Sequence, residues 1–184
     1  AFNLIIKSLI VENHDLIKYC GNSSHFSVKV LNNQGYPAIH ENVTFNINGV
    51  FYIRCSDDNG YATLKIMLLP GEYIITISFN GDSTSNKIYI LPTLITHNLT
   101  MNYKDGSKFR AKILDGQGKP LSNKIVSFNV NGVFYTRKTN DSGVAKLNIN
   151  LYPGMYYVST SFGGCGNWTK SFVNSSVTVL SQII

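Results

Sequence analysis

Displacing the chain against itself by 83 positions lays Leu31–Gly81 on Leu114–Gly164 without a gap, and 25 of those 51 aligned residues are identical. The matches include Gly35 with Gly118, Pro37 with Pro120, Phe45 with Phe128, and Pro70-Gly71 with Pro153-Gly154. The pentapeptide Asn48-Gly49-Val50-Phe51-Tyr52 recurs unchanged as Asn131-Gly132-Val133-Phe134-Tyr135. Identity sustained over this length marks a duplicated folding unit. Whatever one copy folds into, the other must fold into as well.

Each copy reads as short strands with alternating apolar residues, separated by turn residues. In the first, Phe26, Val28 and Val30 alternate, then Val43, Phe45 and Ile47, then Leu64, Ile66 and Leu68, then Tyr73, Ile75, Ile77 and Phe79. Period-two patterning on hairpin-linked strands requires two sheets that each bury one face. Asn48-Gly49 is a two-residue hairpin signal, because both positions tolerate positive φ. The predicted fold is all-β, two tandem immunoglobulin-like β-sandwiches of about seven strands each. Composition agrees: charged residues are only 14% of the 184, below the roughly 25% of an average domain, and Asn, Ser, Thr and Gly carry the polarity instead.

The predicted boundaries are 9–91 for the first repeat and 92–184 for the second. Residues 1–8 are expected to be a strand equivalent to the last strand of a preceding domain, because Asn3-Leu4-Ile5-Ile6 aligns with Lys87-Ile88-Tyr89-Ile90. Phe2, Leu4 and Ile6 are therefore candidate donor-strand residues, available to a neighbouring sheet. The join Ile88–Ile95 holds no Gly/Ser tract, which predicts a stiff pair of domains.

Candidate sites are few. The four histidines, His14, His25, His40 and His97, lie in no nucleophile, phosphate-loop or metalloprotease motif, so no catalytic residue, metal site or cofactor is expected. Asp57-Asp58-Asn59-Gly60 and Asn140-Asp141-Ser142-Gly143 lack the ligand spacing of a calcium loop and read as turns in which Asp or Asn accepts backbone N–H bonds. Cys20, Cys55 and Cys165 occupy non-equivalent places, which argues against a disulfide framework and favours unpaired thiols over the alternatives of one bridge plus a free thiol or a bridge to another chain. Six Asn-x-Ser/Thr sequons, at Asn22, Asn42, Asn98, Asn140, Asn167 and Asn174, are candidate glycosylation sites in an exported chain, foremost Asn22 and Asn98. The one marked asymmetry between copies follows Phe162, where an insertion carries Cys165, Asn167 and Trp168. It is a candidate binding loop.

Lys and Arg are spaced singly along the predicted strands, so the formal charge of +6 does not point to nucleic acid. No segment approaches the roughly 20 apolar residues of a membrane-spanning helix.

The ordered motifs of the second copy, Asp115-Gly116-Gln117-Gly118-Lys119-Pro120, Phe128-Asn129-Val130-Asn131-Gly132-Val133, Asn140-Asp141-Ser142-Gly143-Val144-Ala145 and Pro153-Gly154-Met155-Tyr156, resemble the Ig-like repeats of adhesin-like surface proteins of methanogenic archaea. More distantly they are similar to bacterial Ig-like group 1 repeats of the intimin/invasin type. The resemblance implies an extracellular, cell-surface location and a non-catalytic stalk or filament role. Its partners would be neighbouring repeats or subunits of the same surface structure and a host, cell or polysaccharide target that it does not identify. The alternative is a carbohydrate- or cell-wall-binding module accessory to a larger enzyme. That alternative needs exposed aromatic platforms, whereas the strand aromatics are expected mostly at core-phase positions.

Overall fold

The computed structural model describes residues 7–163 and 171–182. Every regular element among them is a strand. The chain forms two compact units, one running through Leu91 and one from Pro92 to which Tyr19–Asn22 also belong.

The first unit contains β1 (Ile10–Val11), β2 (Leu16–Tyr19), β3 (His25–Val30), β4 (Asn42–Ile47), β5 (Val50–Cys55), β6 (Tyr61–Lys65), β7 (Gly71–Phe79) and β8 (Asp82–Leu91). They form a three-stranded sheet in the order β1-β3-β6 and a five-stranded sheet in the order β2-β8-β7-β4-β5. The second unit repeats this with β9 (Leu94–Thr96), β10 (Leu99–Asn102), β11 (Lys108–Ile113), β12 (Ile125–Val130), β13 (Val133–Lys138), β14 (Val144–Asn148), β15 (Gly154–Phe162) and β16 (Ser171–Leu180). Its sheets are β14-β11-β9 and β10-β16-β15-β12-β13. Each unit is thus an immunoglobulin-like sandwich, with eight strands rather than seven. The extra strand arises because the opening strand breaks in two and changes sheets. In the second unit β9 pairs antiparallel with β11, and β10 then runs parallel to β16.

The alternation predicted from sequence is the burial pattern found. β3, β4 and β12 each bury every second residue, as does β11. Between the sheets the largest rings meet edge-on, Phe26 with Phe45 at 6.2 Å and Phe109 with Phe128 at 6.0 Å. Such pairs add roughly 0.5–1.5 kcal/mol to the gain from burial alone.

Turn chemistry is duplicated too. Asn48 and Gly49 have φ of 53° and 79°, and Asn131 and Gly132 have 51° and 83°, the doubly positive signature of a tight hairpin turn. Where the copies differ, the chemistry survives. Ser56 and Thr139 are both buried; the Ser56 hydroxyl donates to the Ala38 carbonyl (2.7 Å) and the Thr139 hydroxyl to that of Leu121 (2.6 Å). Asp57 Oδ1 accepts the N–H groups of Asn59 and Tyr61, and Asn140 Oδ1 accepts those of Ser142 and Val144. These segments are the turns that the sequence predicts.

The cysteine expectation is corrected. Cys20 is disulfide-bonded and almost fully buried, while Cys55 is a free, exposed thiol. Bridging depends on where Cα atoms meet in space, which sequence spacing in a two-sheet fold does not reveal. Cys165 lies outside the described residues.

Candidate functional site

Among the described residues no group of His, Cys, Asp and Glu is arranged to hold a metal ion. The buried charge outside the apolar cores is Lys18, whose Nζ donates to the carbonyls of Ser24 and Ile66 at 2.8 Å each. Burial, with Lys65 as a smaller contributor, depresses its pKa. Met101 fills the equivalent place in the second copy. Lys18 serves the fold by donating to two main-chain carbonyls, which satisfies its own ammonium where it is buried.

What remains for function is the sheet faces. On the five-stranded sheet of the second unit, register places Phe134, Asn129, Ser159 and Asn174 in one row, with Tyr157 beside Ser176 and Phe172 beside Ser161. These residues project away from the core, and Phe134, Tyr157 and Phe172 are exposed. The first unit presents Phe51 and Ile53 in the same way. The expectation that strand aromatics are core residues holds for Phe26, Phe45, Phe79, Phe109, Phe128 and Phe162, and fails for these. The reason is geometric. Phe51, Phe134, Tyr157 and Phe172 stand opposite Asn46, Asn129, Ser176 and Ser161, on the side of the five-stranded sheet turned away from the core, and β5 and β13, at the edge of sheets that face only three strands, bury no residue on either side.

The opposite face of the second unit is basic. In β11, Phe109, Ala111 and Ile113 point into the core, leaving Lys108, Arg110 and Lys112 exposed on the outer side. β14 adds Lys146 directly opposite Arg110, and Asn148 opposite Lys108. None of the four cations forms an ion pair with a carboxylate among the described residues. β14 pairs with β11 from Lys108 to Lys112, but β9 covers only Ala111–Ile113. Beside the uncovered stretch lies a cavity of about 350 Å³, lined by His97, Asn98, Leu99, Ser107, Lys108 and Arg110 among others.

The first unit differs at this face. His25, Ser27 and Thr63 stand where the second has Lys108, Arg110 and Lys146, and Lys29 pairs with Glu12 at 3.5 Å. The Tyr61 hydroxyl also donates to Glu12. That bond, ahead of the Lys29 charge, holds the Glu12 carboxyl below its ordinary pKa. Ile95 replaces Glu12 in the second copy, so Lys112 has no such neighbour. Residues 92–184 carry ten Lys and Arg against three Asp, a formal charge of +7, whereas residues 9–91 carry five against seven, a charge of −2.

Of the sequons, Asn42, Asn98, Asn140 and Asn174 are exposed. Asn98 Oδ1 accepts the Ser176 N–H at 2.9 Å and Asn174 Oδ1 accepts the Ser159 hydroxyl at 2.6 Å. Asn22 is half-buried and, within the second unit, its Nδ2 donates to the Gly116 carbonyl at 2.8 Å. Asn167, the candidate loop residues Cys165 and Trp168, and the candidate donor residues Phe2, Leu4 and Ile6 lie outside the described residues.

No protein-family model matches the chain, and no curated protein matches it in sequence. Solved structures do resemble it. A chimeric titin Z1Z2-Z1Z2 tandem is 16% identical, with a TM-score of 0.38 over 96% of this chain and 100% of its own. The D00-D0 domain of intimin is 16% identical, with a TM-score of 0.39 over 93% of this chain and 98% of its own. Invasin, a bacterial integrin-binding protein, is 17% identical, with a TM-score of 0.38 over 94% of this chain but 39% of its own. The immunoglobulin-like description rests on the strand order and registers above.

Reading Lys and Arg as singly scattered missed the basic face. In a strand, residues two apart share a side, so Lys108-Phe109-Arg110-Ala111-Lys112 is a row of three cations. The charge imbalance between the repeats was the available signal.

Proposed function

We propose that the chain is a non-catalytic segment of an extracellular surface protein, serving as a structural stalk or filament subunit of an adhesin. The observation carrying this reading is the division between what the copies share and what they do not. Cores and turns are held in common, as with Phe45 and Phe128 or Gly60 and Gly143, and so are the exposed Phe51 and Phe134, while the outer faces of β3 and β11 have diverged, as with Ser27 and Arg110. A scaffold kept constant beneath a changing surface suits display and recognition. The motif resemblance to Ig-like repeats of archaeal adhesin-like proteins supports the surface location. Its partners are then neighbouring repeats or subunits and a cell or polysaccharide target. The repeats run over 9–91 and 92–184, with the strand at 1–8 completing a neighbouring domain and some of the sequons carrying glycans.

Antibodies raised against the chain should label intact source cells, and brief protease treatment of those cells should release it. Labelling that appears only after permeabilisation would overturn the proposal.

Exposed Phe134, Tyr157 and Phe172 favour a second reading, a carbohydrate-binding module of a larger enzyme. This predicts binding to neutral glycans that Tyr157→Ala abolishes.

A further inference from the structure

We infer that the outer face of sheet β14-β11-β9 binds an acidic polysaccharide, through Lys108, Arg110, Lys112 and Lys146 and the adjoining notch at His97-Asn98. The inference depends on the charge of this face and stands whether or not the chain is an adhesin.

Like charges directly opposite on neighbouring strands are destabilising, yet Arg110 faces Lys146 across β11 and β14. The first unit does without this arrangement, having Ser27 opposite Thr63 on the same framework. Folding therefore does not require it. The carboxylates of the second repeat do not relieve it either. Asp105 and Asp115 occupy turns where their oxygens accept backbone N–H groups of Asn102 and Ser107, and of Gln117 and Lys119. Asp141 lies in the turn between β13 and β14. The partner that would neutralise the face is external and anionic.

Its form follows from the geometry. Same-side residues of a strand are roughly 6.6–6.8 Å apart, so the three β11 cations span about 13 Å. A row of that length suits an extended polymer carrying charges at intervals better than one small anion. Around the cations stand amide and hydroxyl groups, those of Asn98, Ser107 and Asn148, which complement sugar hydroxyls. Single-stranded nucleic acid recognition uses aromatic rings on which bases stack, and the outward residues of β11 and β14 include none. The exposed aromatics of this unit lie on the other sheet, apart from Tyr152 in the loop after β14, whose ring is stacked on Tyr103. A glycan bearing carboxylate or sulfate groups fits both facts.

The test uses the full chain, immobilised and titrated with alginate, heparin, dextran and oligo-dT at several salt concentrations. Binding to alginate, heparin or both, weakening as salt rises, with none to dextran, is expected; which of the two binds identifies the anionic group. The double variant Arg110→Ser/Lys146→Thr, which installs the first-copy residues, should lose at least tenfold in affinity while its melting temperature stays level or rises. Arg137→Thr/Lys138→Ser removes the same charge from β13 and should bind within about twofold of the parent. Three results would overturn the inference: no binding to either acidic glycan, equal losses in both double variants, or oligo-dT bound as tightly as the glycans.

Discussion

Phe128→Ala and Phe134→Ala remove the same ring from positions six residues apart, and both rings recur unchanged in the first copy as Phe45 and Phe51. Identity alone gives them equal weight, but the structure does not: Phe128 is 0% exposed and packs edge-on against Phe109, whereas Phe134 is 71% exposed. Truncating a buried Phe costs about 3–5 kcal/mol in lost transfer energy and residual cavity. A domain of this size holds only about 5–14 kcal/mol in total, so Phe128→Ala removes about a fifth of it or more. At roughly 4–8 °C per kcal/mol, that is a fall of roughly 12–40 °C in Tm. Phe134→Ala, on an uncovered edge strand, should stay within about 0.5 kcal/mol. Calorimetry and urea titration of the full chain give the totals, and hydrogen exchange read by mass spectrometry gives the location. Protection should fall in β11, β12 and β15 for Phe128→Ala and remain parental for Phe134→Ala. Comparable losses in the two variants, or a cost below about 1 kcal/mol for Phe128→Ala, would refute the layered core.

Gly143 has φ of 72°, and a Cβ there would lie 2.6 Å from the Ile113 carbonyl oxygen, while Gly132, at φ of 83°, has open space; Gly143→Ala should therefore cost at least about 2 kcal/mol more than Gly132→Ala in chemical denaturation. Thr160 is fully buried with no hydrogen-bond partner for its hydroxyl, and Ile77 holds the equivalent place, so Thr160→Val should raise stability by about 1 kcal/mol in the same assay. The Asp105 carboxyl is held below its ordinary pKa chiefly by the Ser107 N–H, then by the Ser107 hydroxyl and the Asn102 N–H. A depressed folded pKa gives stability that is complete above the unfolded value and lost as pH falls through the folded one; Asp105→Asn should lower stability at pH 7 and flatten the acid limb below about pH 4 in a pH series of thermal melts.

The fold was legible because its determinants are local and doubled. Alternation in Phe26-Ser27-Val28-Lys29-Val30 predicts a half-buried strand, Asn48-Gly49 predicts the hairpin, and recurrence 83 residues later removes ambiguity. Splitting of the opening strand was hidden, since Glu12–Asp15 and His97–Asn98 carry no breaker such as Pro or Gly. The exposure of Phe51 and Phe134 was legible from phase, since the hairpin turns place them opposite Asn46 and Asn129, on the side away from Phe45 and Phe128. What phase does not show is that β5 and β13 bury nothing on their inward side either, because five strands face three. The pairing of Cys20 is likewise a fact of tertiary geometry.

The charge distribution shows how function separates from fold in a duplicated chain. Core positions of β3 and β11 exchange only like for like, Phe26 for Phe109 and Val30 for Ile113, because any polar group there would be buried without a partner. The intervening positions bear no such constraint, so Lys108 and Arg110 can stand where the first copy has His25 and Ser27, above a core that stays apolar. One limit remains, the mutual repulsion of cations brought to one side of a sheet. In the first unit Glu12 relieves it at Lys29; in the second Ile95 stands in that place and the cations are more numerous. Stability alone would favour a carboxylate there. More charge with no counter-charge on the same framework points outside the fold, and this is why the basic face, rather than either core, is where binding should be sought.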